Sequence, residues 1–105
     1  MVLRDFVFFN EQSKENESNI LSITDGDELV IQVNGSAVNL TVKGLVDYES
    51  ENYIDVSVIG LNGYSISNVI TTEGIFTIPI SGLSKVKIVN SGTLKGLKVY
   101  GKVVK

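Results

Sequence analysis

Carboxylates are the groups of this chain best suited to acid–base or metal chemistry, and six of the twelve fall into two alternating clusters, Asp25/Asp27/Glu28 and Asp47/Glu49/Glu51. Hard cations take several oxygens from one flexible segment, which makes Asp47, Glu49 and Glu51 weak calcium candidates. Neither cluster has the spacing of a calcium-binding helix–loop–helix. The favoured reading is a turn at Asp25-Gly26-Asp27 and a solvated hairpin tip at 47–52. The chain has no histidine and no cysteine. It therefore lacks the usual neutral-pH base, the commonest transition-metal ligand and any thiolate nucleophile. Its serines have no such partner, and Asn34-Gly35-Ser36 is a turn, not the Gly-x-Ser-x-Gly elbow of a hydrolase. No catalytic residue and no cofactor is expected.

The cations are distributed unevenly. Gly74 to Lys105 holds Lys85, Lys87, Lys95, Lys98, Lys102 and Lys105 and no acid, a charge of +6 against −9 for residues 1–73. A basic end invites phosphate ligands such as nucleic acid, teichoic acid or a membrane surface. The isoelectric point near 4.8 and the alternation of these lysines with apolar residues argue instead for pairing with outward acids across strands. Tyr48, Tyr53 and Tyr64 fall in or beside loops, where rings stack on sugar faces; they are the candidates for glycan contact.

These side chains are positioned by strands. Leu29/Ile31/Val33, Leu40/Val42, Ile54/Val56/Val58, Phe76/Ile78/Ile80, Val86/Ile88 and Leu97/Val99/Val103 each alternate with outward residues, and most should point into a core. Asn34-Gly35 and Asn62-Gly63 are hairpin signals, and Glu73-Gly74, Ser81-Gly82 and Ser91-Gly92 mark further turns. Pro79 cannot donate to a ladder, so it belongs at an edge, at a bulge or where its nitrogen faces outward. The expectation is one all-β domain over residues 1–105: an antiparallel two-sheet β-sandwich, jelly-roll or immunoglobulin-like, of seven to nine strands.

The first residues are a separate matter. Met1–Asn10 is apolar, but Arg4 and Asp5 interrupt it too early for a signal peptide or a membrane span. Residues 10–19 (NEQSKENESN) carry no apolar side chain. This suggests that 1–9 form an arm, with Leu3, Phe6, Phe8 and Phe9 docking on a neighbouring copy, and that 10–19 form a polar connector. A homo-oligomer, a closed ring or a trimer, is then expected, with the opposite charges steering its copies into register.

LRDFVFFN-EQSK, then DELVIQVNGS, then GIFTIPISGLSKVKIVNSG and LKVYGKV resemble the small β-sandwich proteins and domains of tailed bacteriophages and prophages, of the YomS/XepA and tail- or capsid-decoration kind. The resemblance covers nearly the whole chain and is strongest over Gly74–Val89. It implies a phage- or prophage-encoded module, multimeric or virion-associated, with no catalytic residues; the expected location is the virion or the bacterial host cytoplasm. The reading is a non-enzymatic structural or interaction module, self-associating and virion- or tail-associated. The alternatives are a module binding host-surface carbohydrate or cell-wall polymer, or a lysis-cassette accessory. Other virion proteins are possible partners; nucleic acid and membrane insertion are not expected.

Overall fold

A computed structural model describes residues 1–11, 13–47, 49–61 and 66–105. Among these, ten strands form two antiparallel sheets and no helix occurs. In chain order the strands are β1 Val2–Phe9, β2 Leu21–Ser22, β3 Glu28–Asn34, β4 Leu40–Leu45, β5 Ile54–Asp55, β6 Val58–Gly60, β7 Ile66–Ser67, β8 Gly74–Pro79, β9 Lys85–Asn90 and β10 Lys98–Val104. One sheet has the order β1-β10-β3-β8-β6-β7 and the other β2-β9-β4-β5. The all-β sandwich is as expected. Its strand number exceeds seven to nine because β2, β5 and β7 have only two residues each.

The alternation explains the core. Leu29, Ile31, Val33, Ile78, Val99 and Val103 of the larger sheet face Leu21, Leu40, Val42, Val86 and Ile88 of the smaller, all buried. Val56 and Phe76 pack against this core but remain half-buried, and Ile54, assigned to the inward face, is exposed. Gly101 sits on the inner face opposite Phe6 and Ile31. A Cβ there would lie 3.1 Å from both Leu29 and Phe8, so the missing side chain is the slot for an aromatic ring.

Asn34-Gly35 is not a hairpin. β3 and β4 belong to opposite sheets, so the dipeptide carries the chain over the end of the sandwich, as do Ser81-Gly82 and Ser91-Gly92. A turn signal reports a local reversal and not which sheet receives the next strand. Asn62-Gly63 lies outside the described residues, although β6 and β7 on either side of it pair antiparallel. Pro79 ends β8 opposite Glu28, beyond the last residue that pairs with β6, so no ladder donor is missed.

Strand β1 is the outermost of the larger sheet and pairs with β10 along its length. A register shift between Val7 and Phe9 allows two consecutive aromatics, Phe8 and Phe9, to turn inward, 1% and 0% exposed. The polar segment after it is stitched to β9. Ser18 N–H donates to Ile88 O, Ile88 N–H to Ser18 Oγ, each at 2.8 Å, and Asn90 N–H to Asn16 O at 2.7 Å. These bonds carry the chain from the larger sheet to the smaller.

Candidate functional site

Four of the six lysines of the basic third pair with acids of the same chain. Lys87 pairs with Glu17 at 2.6 Å, Lys98 with Glu11 at 2.8 Å, Lys105 with Asp25 at 3.0 Å and Lys102 with Asp5 at 3.3 Å. Asp55 takes Lys43 at 2.7 Å, which matters because Lys43 lies directly opposite Lys87 on the ladder. A hydrogen bond from Lys98, then its charge, holds the Glu11 carboxyl below the usual range, and Lys87 does the same to Glu17. Glu11 in turn raises Lys98.

The predicted site residues scatter. Tyr53 lies over Lys87, whose Nζ is 4.3 Å from the ring centroid, so one ring face is occupied by a cation. Tyr48 and Tyr64 lie outside the described residues. Asp47 accepts the Glu49 N–H at 3.0 Å, closing a short turn. Among the described residues no three acidic side chains lie close enough to hold a metal ion. Of the proposed docking residues, Phe8 and Phe9 are in the chain's own core, Phe6 packs half-buried beside them, and Leu3 is 36% exposed.

The two outer faces differ. The smaller sheet shows Thr41, Lys43, Lys85, Lys87 and Val89, all half-buried. The larger sheet presents two rows of opposed residues: Val7, Tyr100, Gln32 and Ile75, and beside them Asp5, Lys102, Val30 and Thr77. All of these except Thr77 line a groove of about 520 Å³. Tyr100 was visible in the sequence only as an outward residue between Lys98 and Lys102. Its meeting with Val7 and Ile75 depends on strand order, which alternation does not specify. The signal that was legible is that β3, β8 and β10 each place an apolar side chain, Val30, Ile75 or Tyr100, on the solvent side.

The lateral edges carry further apolar side chains. At one edge, β1 and β2 are joined by Arg4 Nη1 donating to Ser22 O at 3.2 Å, with Val2 51%, Leu3 36% and Ile20 51% exposed nearby. At the other, β5 and β7 end their sheets, and Ile54 is 64% and Ile66 71% exposed.

This architecture matches two solved structures. The SPBc2 prophage-derived protein YomS superposes with a TM-score of 0.79 at 18% identity, covering 97% of this chain and 92% of YomS. The PBSX exported protein XepA superposes with a TM-score of 0.85, also at 18% identity, covering 97% of this chain. The fold is that of YomS and XepA. The chain spans 37% of XepA, so it corresponds to a part of that protein and to nearly all of YomS. No protein-family model matches the chain, and no curated protein matches it. Among the described residues no helix is long and apolar enough to cross a membrane.

Proposed function

We propose that this chain is a non-enzymatic, phage- or prophage-encoded structural module that self-associates edge to edge into a closed ring. The fold shared with two prophage proteins supports the phage setting. The observation that carries self-association is the pair of apolar lateral edges, Val2 and Leu3 on one side and Ile54 and Ile66 on the other. Different patches on opposite sides make a heterologous contact, and such contacts close into rings when the rotation permits. The role assigned to the whole N-terminal arm thus passes to its exposed start, since Phe8 and Phe9 are enclosed at home. Because the ion pairs are internal, association rests on apolar contact and not on charge.

Sedimentation at tens of micromolar tests this. Leu3→Asp and Ile66→Asp should each give monomers. Mixed together they should give a dimer and nothing larger, because one intact contact remains between the two variants. A wild-type monomer, or a mixture of the two variants that stays monomeric, refutes the ring. Mass spectrometry of purified particles from the encoding phage tests the virion assignment.

A further inference from the structure

The groove on the outer face of the larger sheet has no part in the lateral contacts, and it has the composition of a ligand site. Tyr100 stands 44% exposed on β10, between Val7 of β1 and Gln32 of β3, with Ile75 next along the same row. Apolar walls, one aromatic ring and a few polar groups are the usual lining of a small-ligand site, and about 520 Å³ lies within the usual range of roughly 300–1,000 Å³.

Two further observations choose the occupant. The first is charge. Lys102 is matched by Asp5 at 3.3 Å and the neighbouring Lys98 by Glu11 at 2.8 Å, and the other polar groups of the lining, the Gln32 amide and the Tyr100 hydroxyl, are neutral donors and acceptors. A groove whose charges are already balanced offers nothing to a phosphate or a polyanion. The second is size. The lining takes three residues from each of β1, β10 and β3 and Ile75 alone from β8, at most roughly 14 by 10 Å at ordinary strand spacing and rise. That footprint is several-fold below the roughly 800 Å² per partner of a stable protein interface.

We infer that this groove binds a neutral glycan, one pyranose ring stacking on Tyr100 while Gln32 and the Asp5–Lys102 pair take its hydroxyls. An aromatic face suits the apolar C–H face of a sugar ring, and the neutral polar groups beside it suit its equatorial hydroxyls.

The test is titration of the full chain, followed by NMR shifts or calorimetry, with malto-, cello- and chito-hexaose as probes. At least one should bind, with shifts centred on residues 5–7, 30–32 and 100–102. Tyr100→Ala should weaken it about ten-fold or more, and Gln32→Ala to a smaller degree. Both residues are exposed, so both variants should keep the wild-type melting temperature. Tyr53→Ala, against Lys87 of the opposite sheet, should leave binding unchanged. Failure of all three probes at about 10 mM overturns the inference. So does binding that survives Tyr100→Ala, or binding of poly(glycerol phosphate) at this groove in place of the hexaoses. If Tyr100→Ala dissociates an oligomer, the occupant is a second copy and the glycan assignment is wrong. The ring is read separately, from the Leu3 and Ile66 variants.

Discussion

Removing residues 1–9 discriminates between a detachable arm and a strand that completes the sandwich. In the structure the deletion removes the β1–β10 ladder and the two fully buried rings of Phe8 and Phe9. Replacing a buried Phe by Ala costs about 3–5 kcal/mol, so losing both rings costs roughly 6–10 kcal/mol, before counting the backbone pairs. A single domain of this size has about 5–15 kcal/mol in total. The truncated chain should therefore fail to fold, with no cooperative thermal transition. A milder variant keeps the measurement quantitative. Phe8→Ala should lower the urea midpoint by about 1–3 M, taking roughly 4 kcal/mol against a slope of about 1.5–3 kcal/mol/M. Phe76→Ala, at a half-buried site, should cost less than Phe8→Ala. A truncated chain that retains a cooperative transition and differs only in sedimenting as a smaller species would refute this reasoning and restore the docking arm.

Two further outcomes can be checked on the same apparatus. Gly92→Ala should destabilise more than Gly101→Ala, because a Cβ at Gly92 meets the backbone oxygen of Ala37, whereas at Gly101 it meets side-chain atoms 3.1–3.3 Å away that can yield slightly; thermal denaturation ranks the two. The Glu17–Lys87 pair gives a pH signature with a definite sign. Glu17 is held low by Lys87, so its contribution is complete above the ordinary carboxylate range and is lost as pH falls through and below it. The gap in melting temperature between wild type and Glu17→Gln should shrink on acidification, and a gap that widens would contradict the pairing.

Much of the fold was legible because a period of two is a statement about faces. Leu29, Ile31, Val33, Leu40, Val42, Val86 and Ile88 occupy inward positions as their alternation requires. Alternation does not say which sheet a strand joins, so Asn34-Gly35 was open to a hairpin reading although it crosses between sheets. Two consecutive buried rings, Phe8 and Phe9, break the period through a bulge, and that irregularity made β1 resemble an appended arm. The connector was opaque for another reason. Asn16 and Ser18 hold β9 through backbone groups and one hydroxyl, and composition registers only the lack of apolar side chains. The candidate groove was half legible: its outward apolar residues were in plain sight, but their adjacency follows from β10 lying between β1 and β3, a long-range pairing that no local pattern encodes.

The division of charge acquires its meaning from the same long-range pairing. Four of the six lysines in the final third meet acids that all lie between residues 5 and 25: Asp5, Glu11, Glu17 and Asp25. Those two stretches are sequence extremes brought together by β1 against β10 and by β2 against β9. Each pair is exposed and contributes little on its own. Their collective effect is on which arrangement wins, since a slipped β1 would set Asp5 away from Lys102. An acidic beginning and a basic end therefore specify how the chain closes on itself. They also leave the outer surface locally neutral where β1, β10 and β3 meet. What this surface exposes is apolar side chains at the edges and, in the groove, the Tyr100 ring beside the matched Asp5–Lys102 pair.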